Sequence, residues 1–267
     1  MTTEARDQRM PFLDALQQDA RFAVRQLRRS PGFAVTAILT LALGMCASVA
    51  IYAFVDAALI APLPYEAPSR LAAVFERTPV FDRSNLSYLD YLDWKRMNTV
   101  FSSLSAFQGT GMALNTPDGA RRAAGARVSD DFFRTLGVSP TLGRDFTAGE
   151  SSASAAPVVI LSDAAWRRWF GGRSEALGQT ITLDGVPRVI VGVMPASFQF
   201  APAGPVEFWT PLYARSSCDK RRACHNLYGV ARLADGVSMQ DAAAGMQTIA
   251  RQLEQQYPDS NRGQGSN

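Results

Sequence analysis

Gly32–Val55, GFAVTAILTLALGMCASVAIYAFV, contains no charged residue. As a helix rising 1.5 Å per residue, these roughly 24 residues reach about 36 Å, against a bilayer hydrocarbon core of about 30 Å. Phe33, Val35, Ile38, Leu39, Leu41, Leu43, Val49, Ile51, Phe54 and Val55 each favour insertion by about 0.3–0.6 kcal/mol near the membrane centre; Thr36, Thr40, Gly44 and Ser48 oppose it weakly. A backbone in lipid must bond to itself, which a helix does. Apolar residues ring the whole circumference, so the pattern is that of a spanning helix and not of a one-sided amphipathic one. A buried helix of a soluble core is the competing reading, and the length disfavours it. Asp56 follows, where its carboxylate is expected to reach the interface.

Upstream, Phe12, Leu16, Ala20, Ala23 and Leu27 recur every three or four residues from Pro11 onward, a helical period. Arg21, Arg25, Arg28 and Arg29 cluster just before the apolar run with no acid among them, the positive-inside signature. Residues 1–31 are therefore expected in the cytoplasm as a basic amphipathic lead helix lying on the inner membrane face. Pro31 and Gly32 are expected to break it. A cleaved signal peptide fits poorly: the basic region is long, the apolar run exceeds the usual 7–15 residues or so, and no A-x-A site follows. The division expected is 1–31 lead, 32–60 membrane helix and 61–267 outside the membrane.

The chain has 267 residues, 47% of them hydrophobic, so a single span leaves enough outside for one large domain or two small ones. A net charge of +3 is too small to imply a nucleic-acid partner. Cys46 lies in the apolar run, while Cys218 and Cys224 share a polar loop, SSCDKRRACHN. If that loop is extracytoplasmic a disulfide is reasonable; two free thiols remain the other reading. His225, the only histidine, adjoins Cys224, but two thiols and one imidazole are one ligand short of a closed zinc shell. It reads as a loop or strand-start residue.

Beyond the span, Ala61–Arg70 is Pro-rich and reads as an extended exit. Leu71–Glu76 reads as a strand. Ser87 is placed to cap a helix with Tyr88, Leu89, Tyr91 and Leu92 inward and Asp90, Asp93, Lys95 and Arg96 on a wet face. Leu104–Asn115 and Arg122–Val128 read as strands around a turn at Thr116-Pro117-Asp118-Gly119. Ser129 is expected to cap a helix Asp130–Leu136, with Asp130 and Asp131 favouring its N-terminus and Gly137 ending it. After a small-residue linker, Ser151–Ala156, come a strand Pro157–Leu161 and a helix Asp163–Phe170 capped by Ser162 and closed by Gly171-Gly172. Gln179–Leu183 and Val186–Val193 flank Asp184-Gly185, the positive-φ pair of a type I′ hairpin. Val206–Leu212 and Leu227–Leu233 read as strands. Ser238 and Asp241 have capping-box spacing before a helix whose buried stripe is Ala242, Met246, Ile249 and Leu253. Asp259–Asn267 reads as a loose tail. Mixed hairpins and single helices predict an α+β extracytoplasmic domain, with two subdomains, anchored by one N-terminal transmembrane helix.

Sites of chemistry are not apparent. The only lysines, Lys95 after Trp94 and Lys220 after Asp219, exclude a Walker-type phosphate loop, which needs Lys directly after Gly. One histidine excludes H-E-x-x-H, and G-x-S-x-G does not occur. A Ser–Lys hydrolase around Lys95 conflicts with a solvated helix face, and the pairs Asp130/Asp131 and Asp90/Asp93 are explained by capping and solubility. Catalytic, cofactor-binding and metal residues are therefore each assigned as none.

The string Ala20-Arg21-Phe22-Ala23-Val24-Arg25-Gln26-Leu27-Arg28-Arg29-Ser30-Pro31-Gly32-Phe33 resembles the N-terminus of MacB/FtsX-like ABC permeases, especially a duplicated-permease branch. Further matches are Val55-Asp56-Ala57-Ala58-Leu59-Ile60-Ala61-Pro62-Leu63-Pro64-Tyr65, Phe132-Phe133-Arg134-Thr135-Leu136-Gly137-Val138, Leu142-Gly143-Arg144-Asp145-Phe146, Val191-Gly192-Val193-Met194-Pro195 and Gln256-Tyr257-Pro258. They run in the family's order over nearly the whole chain. The resemblance implies a permease-type subunit with a periplasmic core domain, a bilayer partner, a separate ABC ATPase subunit that alone carries ATP, and a permease partner or dimer. Some such permeases relay ATP-driven motion to the periplasm instead of conducting a substrate. Three further membrane helices usually follow in the family, whereas this sequence stops at Asn267. A truncated reading frame, a fragment of a longer permease and a single-span subunit all fit that. A membrane-tethered periplasmic binding module is the alternative function. Substrate, ATPase identity and oligomeric state are not readable.

Overall fold

The computed structural model describes residue 18 and residues 21–23, 25–55, 65–116, 119–200 and 204–266. It divides into two compact units, Met1–Pro62 and Leu63–Asn267. Phe12, Leu16, Ala20, Asp56, Pro117 and Asp118, named above, lie outside the described residues.

In the first unit, helix α1 covers Pro31–Val55, and Pro31–Phe54 is long and apolar enough to be a candidate membrane span. Its large apolar side chains are exposed around the helix, from Phe33 at 70% to Phe54 at 74%. The hydroxyls of Thr36, Thr40 and Ser48 donate to the carbonyls of Gly32, Thr36 and Gly44 at 2.8–2.9 Å. The polar residues of the run thus satisfy themselves within the helix. The expected break at Pro31-Gly32 shrinks to Ser30 alone: residues 25–29 are helical, and Ser30 N–H still donates to the Gln26 carbonyl at 3.2 Å. Pro31 occupies the first turn, where its missing N–H costs nothing.

The second unit contains β1 (Leu71–Val74), β2 (Glu76–Arg77), β3 (Leu86–Ser87), α2 (Tyr88–Met97), β4 (Phe101–Thr116), β5 (Gly119–Val128), α3 (Phe132–Leu136), β6 (Leu142–Gly143), β7 (Val158–Leu161) and α4 (Asp163–Phe170). There follow β8 (Thr180–Leu183), β9 (Val186–Val193), β10 (Phe208–Pro211), β11 (His225–Leu233), α5 (Met239–Gln256), α6 (Pro258–Asn261) and β12 (Gly265–Ser266). The main sheet has the order β1-β11-β4-β5-β10-β7-β9-β6, with β3 on β11 and β8 paired to both β9 and β4.

That last pairing, Leu114 opposite Leu183, closes β4-β5-β10-β7-β9-β8 into a ring of six strands. The long strand β4 therefore serves two parts. Its first half, with β1 and β11, packs Leu104 and Ala106 against Tyr91 and Trp94 of α2 and Met246, Ile249 and Leu253 of α5. Its second half contributes Met112 and Leu114 to a cluster with Val159, Leu161, Ile181, Leu183, Ile190 and Phe208. A third cluster joins Phe107, Val128, Ile160 and Trp209 to Phe132, Phe133 and Leu136 of α3 and to Phe198 and Phe200. The two expected parts thus share a strand within one compact unit.

Local signals place several elements. Asp184 (φ 49°) and Gly185 (φ 74°) make the β8–β9 turn, as a type I′ hairpin requires. Ser87, Ser162 and Ser238 each accept from the N–H three residues on, and Ser238 with Asp241 forms a full capping box.

Four expectations need correction. Asp90 and Asp93 are not on a wet face but buried, at 1% and 8% exposure, while Leu92 faces outward at 43%. Ser129 does not cap α3; its Oγ accepts from Ala106 N–H at 3.2 Å. Asp130 and Asp131 precede α3, which starts at Phe132, and neither caps it. The tail is not loose: residues 258–261 form α6, and β12 pairs with β2.

Candidate functional site

The segment that carries the chain into the second unit, residues 65–70, is pinned at both ends. Tyr65 lies 6.4 and 6.5 Å from the rings of Phe198 and Phe200, and its hydroxyl donates to the Gln199 carbonyl at 2.8 Å. Burial pushes the phenol pKa up, so it stays a donor. Glu66 N–H donates to the Leu136 carbonyl at 3.3 Å. There Gly137 takes φ 71°, and any Cβ on it would strike Glu66, so the glycine that ends α3 also makes room for the docking segment. Arg70 Nη2 donates to the Leu233 carbonyl at 2.5 Å, and Nη1 pairs with Asp235 at 2.7 Å. The chain is thus attached to the 198–200 strip, to α3 and to the end of β11.

The same strip forms one wall of a 480 Å³ cleft whose other walls include Ser162, Arg168, Val206, Glu207 and Trp209. Glu207 is held by Arg121 at 3.1 Å and Arg168 at 2.7 Å. A displacement of Tyr65 therefore bears on a cleft wall through Phe198, Gln199 and Phe200.

A buried ionic hub ties down the end of the described chain. Arg222 pairs with Asp90 through Nη1 and with Asp93 through Nη2 at 2.6 Å, and its Cζ lies 3.7 Å from the Tyr257 ring centroid. Asp90 also accepts from Ser87 Oγ at 2.7 Å and from Asn261 Nδ2 at 2.9 Å. Arg222 is delivered by a loop closed by the Cys218–Cys224 disulfide, with Cα atoms 5.4 Å apart. Of the two readings left open by the sequence, the structure has the bridge.

His225 does begin a strand. Its Nε2 lies 2.7 Å from Glu76 Oε2, within ion-pair distance but without the alignment of a hydrogen bond. Glu76 raises the imidazole pKa, whereas burial raises that of Glu76 itself and His225 partly offsets it. Lys95, expected on a solvated face, is half-buried and pairs with Asp131 at 2.9 Å. Asp131 also accepts from Ser105 Oγ at 2.8 Å. Asp145 accepts from Phe146 N–H at 2.6 Å through Oδ1, while Oδ2 is buried without a partner. Burial pushes its carboxyl up to about 6, aided by Asp131 and Asp130.

None of these groupings was assigned from sequence. Asp90 precedes the buried Trp94 by one helical turn, which places both on one face; that spacing was the available signal. Arg222 lies about 130 residues away, with nothing local to announce its partner.

The sequence pattern of the MacB-like periplasmic core domain matches residues 34–249. The chain belongs to this family. The MacB-like domain is similar in fold to the periplasmic region of MacB from Actinobacillus actinomycetemcomitans, with 14% identity, a TM-score of 0.52, and 74% of this chain and 88% of that chain covered. It is also similar to the extracellular domain of the noncanonic ABC-type transporter YknZ from Gram-positive bacteria, with 14% identity, a TM-score of 0.51, and 74% and 99% covered. No curated protein matches the chain. One N-terminal apolar helix followed by this MacB-like domain fits a membrane-anchored periplasmic domain of permease type.

Proposed function

We propose that the chain is an ABC-permease subunit whose periplasmic body relays ATP-driven motion or docks a transport partner. Gly32–Val55 anchors it in the bacterial inner (cytoplasmic) membrane, with residues 1–31 cytoplasmic and the body periplasmic. It performs no catalysis and holds no cofactor; ATP is bound by a separate ABC ATPase subunit, and a permease partner or second copy completes the assembly. The attachment of residues 65–70 supports this reading. Tyr65, Glu66 and Arg70 join three different parts of the body, so a displacement of residues 65–70 is passed to all three.

The test replaces Gly32–Val55 with an unrelated membrane anchor and measures the ATP-dependent activity of the complex co-purified in mild detergent. A relay loses that activity while insertion and fold persist. Full activity with the foreign anchor reduces the segment to a tether and refutes the relay, as does repeated recovery of the subunit without any ATPase.

A further inference from the structure

Inside the six-stranded ring, two arginines lie beside an apolar filling, with Arg188 directly opposite Ile181. Met112, Leu114, Ile181 and Leu183 belong to the apolar filling. Along each strand alternate residues share a face. Arg127 therefore shares the inward face of Ala123 on β5, Thr210 that of Phe208 on β10, and Arg188 that of Ile190 on β9. Arg127 and Thr210 stand in register. The three are nearly sealed: Arg188 is 2% exposed, Arg127 8% and Thr210 1%.

Their polar atoms are under-used. Arg127 donates through Nη1 to Gln108 Oε1 at 3.2 Å and through Nη2 to the Tyr213 carbonyl. Arg127 Nε, Arg188 Nε and Thr210 Oγ1 are buried with no hydrogen-bond partner. Neither arginine has a carboxylate in ion-pair range among the described residues. A third arginine, the exposed Arg215, completes the group: its Cζ lies 5.6 Å from the Tyr213 ring centroid, and that of Arg127 lies 5.8 Å from the same ring. Burial weakens the charge on Arg188, Tyr213 helps to hold it, and Arg215 weakens it further.

The nearest acids are engaged elsewhere. Asp219 Oδ2 accepts from the N–H groups of Arg215 and Ser216 at 2.8 and 2.9 Å, and Oδ1 accepts from Asn226 at 3.3 Å. Asp184 Oδ1 accepts from Ala113 N–H at 2.7 Å. A guanidinium cannot escape burial by losing its proton, and an unpaired buried charge is strongly destabilising. We propose that this arginine cluster is a receptor for one small oxyanion, a carboxylate or phosphate group, held by Arg127 and Arg188 with the exposed Arg215 beside them.

Calorimetric titration of the full chain in mild detergent tests this at constant ionic strength, with inorganic phosphate in one arm and succinate in the other. Saturable binding is expected in at least one arm: phosphate alone marks a phosphate group, succinate alone a carboxylate, and both a general oxyanion site. Arg215→Ala, at an exposed position, weakens binding about tenfold or more, the scale of one charge-assisted pair. Arg188→Met abolishes binding while the ligand-free thermal midpoint stays level or rises, because an unpaired buried charge is gone. Absence of saturable binding in both arms overturns the proposal. So does undiminished binding by Arg215→Ala, which decides the matter alone if Arg188→Met does not fold.

Discussion

Asp90→Ala probes the buried hub most directly. The carboxylate accepts from Ser87 Oγ, Asn261 Nδ2 and Arg222 Nη1, and truncation leaves all three donors unpaired. Breaking a buried ion pair from one side costs about 3–5 kcal/mol, and each stranded neutral donor about 1–3 kcal/mol. Arg222 keeps Asp93 and the Tyr257 ring, which moderates the first term. A net loss of about 4 kcal/mol is expected, a large share of a typical total of about 5–15 kcal/mol. At about 2–4 °C per kcal/mol for a domain of this size, the thermal midpoint falls by about 8–16 °C. Urea unfolding of the detergent-solubilised chain, followed by tryptophan fluorescence, measures this, and buried Trp94 on α2 reports locally. Adding Arg222→Met to Asp90→Ala costs less than Arg222→Met alone, since the pair with Asp90 is already gone and Asp93 keeps Arg96 at 2.5 Å. A loss below about 1 kcal/mol for Asp90→Ala, or strict additivity of the two substitutions, refutes the hub as a coupled unit.

Reducing the Cys218–Cys224 bridge, or replacing both cysteines with Ser, lowers stability by about 2 kcal/mol from loop entropy in the unfolded chain; unfolding with and without reductant reads this out. Asp145→Asn stabilises the protein at neutral pH. The folded form binds this proton more tightly than the unfolded chain between about pH 4 and pH 6, so stability is lost as pH rises across that window. Asn removes the loss, by about 1–2 kcal/mol after discounting for solvent screening, and flattens the pH profile of the midpoint there. His225 contributes in the next window: its raised pKa gives stability that is complete below the ordinary imidazole value of 6.5 and drains as pH rises through the folded value. His225→Gln abolishes that slope, measured as the midpoint from pH 6 to pH 8.

Signals that act within a few residues were legible. Asp184-Gly185 needs positive φ at both positions, and any chain that makes the hairpin must supply it. Ser238 with Asp241 and the stripe Ala242, Met246, Ile249 and Leu253 predicted both the cap and the buried face of α5. Gly32–Val55 was legible because its composition admits few environments. Periodicity, however, reports which face is inward and not what it meets. It could not show that β10 runs parallel to β5, or that Leu114 meets Leu183 and closes the ring. Charged residues misled for the same reason. Asp90 and Asp93 look like a solvated edge until Arg222 arrives from a distant loop. The residues after Tyr257 look unstructured until Asn261 reaches Asp90 and Gly265 pairs with Arg77.

The parallel pairing of β5 with β10 joins Gly125 to Phe208, more than eighty residues later in the chain. During synthesis both borders of the β4–β5 hairpin therefore wait, that of β5 for the segment around Phe208 and that of β4 for β11, which follows it in the chain. Long-range parallel contacts form slowly, and their partners stay prone to aggregation in the meantime. On the topology proposed above, export lengthens that interval, so holdase chaperones on the far side should recognise the Gly119–Val128 margin before native partners cover it.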